Sequence, residues 1–382
     1  MKKLLAALAA LAVLAACSDS KKGQEPPAEL VDIKSQLIIK REWSESLSGK
    51  ADHLRLALRP EVVDDVVYAG GHKGEVVALN AATGRRLWKV NTKMPLSSGP
   101  GVGDGVVVFG SSDGNVVALD AATGAERWRH AVSSEVLARP LVAEGMAVVR
   151  TVDGRLQSLS LTDASQRWAV QEAVPPLSLR GTAPAVRVGE AAIAGFDNGR
   201  VLAVDLKSGE TLWSTLVSPP QGRTELERLV DLDSDIKAAG DDVFVVGFQG
   251  RAAMLARESG QIWWAKDISS YRGFGMDDDN LYITNAAGGV VAFKRRDGGP
   301  VWEQLTALRL RGLTAPQVDG NAVVVGDFEG YLHWLDKSTG AIIARVKTGG
   351  DRITNAPVVA GGRVYVQTDA GKLVAYKSAP RG

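Results

Sequence analysis

One spacing governs what this chain can fold into. A pattern of the form G-x-V-x-A-L-D-x-x-T-G-x-x-x-W recurs from end to end, its first glycine falling at Gly74, Gly114, Gly154, Gly199, Gly250, Gly288, Gly330 and Gly371. Fourteen residues after the first six stand Trp88, Trp128, Trp168, Trp213, Trp264 and Trp302, while the seventh copy has Ala344 there. Pro60, Pro100, Pro140, Pro316 and Pro357 lie 14 residues before their glycines and Pro184 lies 15 before; the fifth and sixth copies have no such proline. A fixed internal spacing with a period of 38 to 51 residues is the signature of a propeller or solenoid. The 382 residues are therefore one repeat array, not two or three unrelated domains.

Within each period the residues spell strand, turn, strand. Val106–Phe109 and Val116–Leu119 are β-branched runs of strand length, and Ser111-Ser112-Asp113-Gly114 between them supplies a tight turn whose glycine accepts a positive φ. Asp120-Ala121-Ala122-Thr123-Gly124 suits a longer hairpin loop ending in a left-handed glycine. No stretch offers the long amphipathic helix of a β-α solenoid. Glycine, 42 of the 382 residues, is in excess, as many tight turns require. Four antiparallel strands in about 40 residues make a propeller blade. The recurring tryptophan reads as an interblade core ring whose N–H needs an acceptor; a cofactor-stacking box would need one ring at one site.

The eighth copy ends too soon. Fourteen residues beyond Gly371 lies past the last residue, so the final blade lacks its outer strand. The orphan strand is at the other end: Leu37 to Leu47 carries Trp43 and precedes the first blade. Pairing the two closes the ring and removes exposed edges. The expected fold class is all-β, an eight-bladed β-propeller of four-stranded antiparallel blades closed by the N-terminal strand.

The amino terminus gives an address. Lys2 and Lys3 precede a 13-residue apolar run, Leu4 to Ala16, too short to span a bilayer and suited to a cleaved export signal. Leu14-Ala15-Ala16-Cys17 resembles the bacterial lipobox, which implies cleavage before Cys17 and lipidation of that cysteine; Ser18 after it implies forwarding to the outer membrane. The expected organisation is a lipoprotein signal peptide over 1–16, a lipidated N-terminus and flexible tether over 17–36, and the propeller over 37–382. Cys17 is the single cysteine, so no intramolecular disulfide forms, and four scattered histidines build no Cys/His zinc site. Lys+Arg 45 against Asp+Glu 44 leaves no electrostatic footprint for nucleic acid.

The A-P-x-V…G-x-V-x-A-L-D-x-x-T-G-x-x-x-W repeat resembles the quinoprotein-type (PQQ-like) propeller repeat. With the lipobox and eight copies, the whole chain resembles the lipoprotein scaffolds of the machinery that inserts β-barrels into the bacterial outer membrane. The resemblance implies a non-enzymatic protein without cofactor, held on the periplasmic face of the outer membrane. Its implied partners are the central barrel-assembly subunit and its complex, and unfolded outer-membrane proteins.

The alternative is a quinone-dependent dehydrogenase-like or other ligand-binding propeller. Dehydrogenases of that fold resemblance hold quinone and calcium on the axis, often beside a disulfide of adjacent cysteines, which one cysteine cannot make. Asp231-Leu232-Asp233-Ser234-Asp235 mimics the start of a calcium loop, but Ile236 stands where the turn glycine belongs and Asp242 where glutamate belongs. No G-x-S-x-G elbow is present.

Irregular loops on a regular scaffold carry function. From the tryptophan position to the next proline position the junctions run 12, 12, 13 and 14 residues after Trp88, Trp128, Ala344 and Trp302, but 16 after Trp168, 23 from Trp213 to Ile236, and 17 from Trp43 to Pro60. The 16- and 23-residue junctions are neighbours and emerge on one face. The first contains Pro175-Pro176-Leu177-Ser178-Leu179-Arg180-Gly181 and the second Glu227-Arg228-Leu229-Val230-Asp231-Leu232-Asp233. Apolar anchors beside a charged rim suit a protein interface. On the family resemblance Leu177, Leu179, Arg180, Asp231 and Asp233 are expected contacts to the central subunit. Leu308-Arg309-Leu310-Arg311-Gly312 repeats the same letters before Pro316, so a core role for the leucines stays open, as do internal salt bridges for Arg180 and the aspartates.

Overall fold

The computed structural model describes residues 25–51, 54, 56–181, 183–232 and 234–381. The signal peptide, Cys17 and Asp233 lie outside the described residues. Eight four-stranded antiparallel sheets follow one another around a ring. Blade 1 is typical: Glu61–Val63 nearest the axis, then Val66–Gly70, Glu75–Asn80 and Arg86–Asn91 outermost. The two middle strands are buried on both faces, between neighbouring blades, which is why they read as continuous apolar runs.

The last blade is closed as the truncated eighth repeat requires. Leu37–Ser46 pairs antiparallel with Lys372–Pro380, Trp43 opposite Ala375, so chain start and chain end share one sheet. Every described blade boundary but one is then pinned by an indole. Trp43 Nε1 donates to the Ala81 carbonyl of blade 1 at 2.9 Å, and Trp88, Trp128, Trp168, Trp213, Trp264 and Trp302 each donate to a carbonyl of the following blade at 2.7–3.1 Å.

The turn glycine of one repeat is the seat of the previous repeat's indole. Gly84 has φ +69°, and a Cβ built there would lie 2.6 Å from Cγ of Trp43. Glycine is needed twice over, for the left-handed backbone and for the flat ring against it.

The N-terminal segment departs from the flexible tether expected over 17–36. Its described part, residues 25–36, lies along blade 7. Ala28 N–H donates to the Arg309 carbonyl at 2.9 Å, Arg311 Nη1 to the Ala28 carbonyl at 3.0 Å, Arg345 Nη1 to the Val31 carbonyl at 3.0 Å and Gln36 N–H to the Ile343 carbonyl at 2.8 Å. Glu25 pairs with Arg309, and Leu30 packs on the core beside Leu308 and Leu313. Two backbone carbonyls, each accepting from one arginine Nη1, hold this segment as a strap.

Candidate functional site

Junction loops emerge on one face of the ring because each leads from an outermost strand back to the next innermost one. The three long junctions meet there, over the axis. Arg180, at the end of the blade 3–4 loop, forks onto Glu135 of the blade 2–3 junction, Nη1 to Oε2 at 3.0 Å and Nη2 to Oε1 at 2.6 Å. Its Nε donates to the Leu54 carbonyl of the closing junction at 3.0 Å. A planar fork satisfied on three sides fixes the loop's direction. Loop lengths do not reveal the closing junction's contribution: Leu54 and Arg180 are 126 residues apart and meet because the ring closes.

Asp231 sits beneath this surface, not on it. It is 1% exposed, exchanges backbone hydrogen bonds with Phe248 (N–H to carbonyl 3.3 Å, carbonyl from N–H 2.7 Å), and its Oδ2 accepts the Leu179 N–H at 3.1 Å. The acidic run enters the protein because Leu229, Val230 and Leu232 on either side are core. The carboxylate clasps the blade 4–5 junction to the blade 3–4 loop.

The leucines divide differently from the open alternative. Leu177 is 41% exposed and Leu179 half-buried; in the look-alike segment Leu308 is fully buried, Leu310 is 41% exposed, and Arg311 is sunk against Asp327 and Glu329. The same letters serve an extended loop in one place and a tight turn under the N-terminal strap in the other. Tyr271 lies 6.0 Å edge-on from Phe248, with the Arg272 guanidinium 5.1 Å from its ring, and Leu226 is exposed on the single turn held by Thr224 and Glu227. The site therefore gathers Leu177, Leu179, Arg180 and Tyr271 on a braced surface. Among the described residues no group of three or more His, Cys, Asp or Glu side chains is placed to hold a metal ion, and no helix is long and apolar enough to cross a membrane.

Comparison with known proteins agrees with this architecture. A protein from Pseudomonas aeruginosa named outer membrane protein assembly factor BamB is 47% identical over 372 residues, covering 97% of this chain and 98% of its own. The protein of the same name from Salmonella typhimurium is 34% identical, covering 98% of each. Among solved structures, BamB from Moraxella catarrhalis superposes with a TM-score of 0.81 at 28% identity over 89% of this chain and 100% of that one. The quinohemoprotein alcohol dehydrogenase of Comamonas testosteroni, at 15% identity and a TM-score of 0.69 over 88% of this chain and 76% of its own, shares the fold alone. The family described as outer membrane protein assembly factor BamB matches over residues 35–89, 72–304 and 286–380, and with these full-length relatives the chain belongs to that family.

Proposed function

We propose that this protein is a non-enzymatic scaffold of the outer-membrane β-barrel assembly machinery. It docks on the central assembly subunit through the braced loop surface and assists folding and insertion of outer-membrane proteins. The observation that carries the reading is the convergence of all three long junctions on one face, tied by Arg180 to Glu135 and Leu54 and by Asp231 to Leu179. Loops left to vary on a rigid ring need no such bracing; a surface that must present Leu177 and Leu179 in one register does. The names of the relatives support the assembly role. Leu177, Leu179 and Arg180 are the contacts, Asp231 positions them, and Asp233 keeps the contact role that the resemblance implies.

A lipid on Cys17 holds the protein to the periplasmic face of the outer membrane. The strap over blade 7 is held from Glu25, eight residues after Cys17, a separation of at most about 26–29 Å at about 3.3–3.6 Å per residue. Arg309, where the strap starts, lies in a junction loop, so anchor and docking surface share a face. The test is capture from gently solubilised membranes. Recovery of the central barrel-assembly subunit in near-equal amount is expected; recovery of sugar polymers alone defeats the reading.

A further inference from the structure

Eight blades present eight outermost strands, and an outermost strand is an open row of backbone N–H and C=O groups unless something guards it. Seven of the eight carry charged side chains, as Lys89 in Arg86–Asn91, Arg167 in Gln166–Gln171 and Lys266 in Ile262–Asp267. Blade 4 is the exception. Its outermost strand, Thr211–Leu216, reads TLWSTL, with no charged residue and no proline. A bulge does not set it apart, because the same register shift falls just before the tryptophan position in every outer strand from blade 1 to blade 7.

The strand is pinned on the side that faces blade 5. Trp213 Nε1 donates to the Arg257 carbonyl and Thr215 Oγ1 to the Gly260 carbonyl, each at 2.7 Å. Leu212, Ser214 and Leu216 are left exposed, Leu212 by 52%. Arg200, one strand inward, donates from Nη1 to Ser214 Oγ at 3.2 Å along the sheet face, so the edge residues themselves stay neutral.

Blade 7 shows what such an edge takes. Ile343, the counterpart of Leu212 at the bulge, is buried beside Leu37 and Ile39, and its carbonyl accepts the Gln36 N–H at 2.8 Å. An extended segment from a distant part of the chain covers that position with a backbone hydrogen bond and apolar side chains. Among the described residues no strand pairs beyond Thr211–Leu216 on blade 4. That strand also runs directly into the junction that Asp231 clasps to Leu179.

We propose that the outer edge of blade 4 receives an extended segment of an unfolded outer-membrane β-barrel protein as a fifth strand. Main-chain hydrogen bonds to Thr211–Leu216 hold it, and Leu212 and Leu216 pack against its apolar side chains. Barrel strands alternate apolar and polar residues over about ten positions, and a neutral edge that pairs through backbone accepts many such sequences. The identity of the occupant rests on the assembly role proposed above.

The test is calorimetry of the full-length protein with a peptide of about ten alternating valine and threonine residues, and with the same peptide N-methylated at its central residues so that neither edge can donate. Saturable one-to-one binding of the first, at least about tenfold tighter than the second, is expected. Leu212→Lys and Leu216→Glu each put a charge on the edge, the glutamate opposite Arg200, and should weaken binding about tenfold or more with melting unchanged. Ala169→Lys, on the already charged edge of blade 3, should leave binding as in wild type. The N-methylated peptide judges wild type alone, so the test stands even where a variant unfolds. Equal binding of both peptides, no saturable binding below about 1 mM, or a wild-type dimer that Leu216→Glu dissociates in place of peptide binding overturns the proposal. Cross-linking on membranes assigns the occupant: Leu216→Glu should lose unfolded barrel protein and keep the central subunit, and undiminished barrel protein overturns the assignment. Failure of wild type to capture the central subunit defeats the docking reading instead, and the peptides still decide the edge.

Discussion

Replacing Arg180 by alanine separates docking from bracing more sharply than any other change. In the free protein the side chain makes a two-pronged pair with Glu135 and a third hydrogen bond to Leu54. The arginine side chain is 45% exposed and Glu135 16% exposed, so solvent screens the pair and it contributes about 0.2–1 kcal/mol. The bond to a backbone carbonyl adds about 0.5 kcal/mol, the low end for a partly solvated neutral acceptor. Arg180→Ala should therefore cost about 1 kcal/mol. With an unfolding entropy of about 2.1 cal/mol/K per residue over residues 37–381, that is a fall in melting temperature of about 1–2 °C.

Capture of the central assembly subunit should fall much further. Arginine is a preferred interface anchor, and truncating one that meets a partner acceptor costs about 2 kcal/mol or more, about 30-fold in affinity. Glu135→Gln is the matching control. It removes the internal carboxylate and keeps the arginine, so it should show the same small melting shift with capture retained. The assays are calorimetric melting and quantitative co-purification on both variants. If both lose capture in proportion to their loss of stability, Arg180 acts only as a brace and the docking argument fails.

Other variants probe the remaining links. Asp231→Ala removes the acceptor of the Leu179 N–H from a buried position and should cost about 1–3 kcal/mol, with faster proteolysis at residues 175–181 and reduced capture together. Trp213→Ala removes an interblade ring and its bond to the Arg257 carbonyl and should cost about 3–5 kcal/mol in melting, with capture following stability alone. Cys17→Ala should give a soluble protein or an uncleaved precursor with a folded propeller; retention in the outer membrane after a salt wash refutes the lipid anchor. Acidification should loosen the strap. His333 Nδ1 accepts from Arg345, the residue that holds Val31, and its Nε2 contacts Asp327. Burial lowers the His333 pKa below the ordinary 6.5, Asp327 opposing and Arg345 and Arg311 adding to the fall. The unfolded chain therefore takes up the proton first, and the stabilisation present above pH 6.5 declines as pH drops through and below it. Hydrogen-exchange protection of residues 25–36, after correction for the intrinsic pH dependence of amide exchange, should fall over that range in wild type, and that fall should vanish in His333→Gln.

The architecture was legible in the sequence because a propeller is quasi-one-dimensional: each repeat states the same strands, turns and core ring, and only closure is non-local. What stayed hidden were contacts between distant segments. Nothing local to Arg180 names Glu135 or Leu54, and the polar run around Asp231 looks solvated until Leu229, Val230 and Leu232 are seen to enter the core. The strap is illegible locally for a related reason: Glu25 to Leu30 is polar and proline-bearing, and its partners Arg309 and Arg311 lie about 280 residues away.

The lapsed tryptophan shows how far the repeat itself can be read once the contact is known. An indole in one outer strand rests on a left-handed turn residue of the next blade: Gly124 under Trp88, Gly209 under Trp168, Gly340 under Trp302, with Ala164 at φ +59° in the equivalent place beside Trp128. Blade 8 has no such turn. Its third strand, Lys372–Pro380, pairs with an outer strand, Leu37–Ser46, that lies before the first blade in sequence, so no hairpin turn joins the two. An indole at position 344 would face this pair, Lys372–Pro380 and Leu37–Ser46, which no hairpin turn joins. Ala344 is instead packed with Trp334, Ile343 and Tyr376, beside the first residues of the closing strand, Leu37 and Ile39, and Trp334 turns its own Nε1 to Asp319 at 2.8 Å. The missing tryptophan and the borrowed strand are thus one event: closing a ring with the chain's first strand removes the turn that the seventh indole would have required.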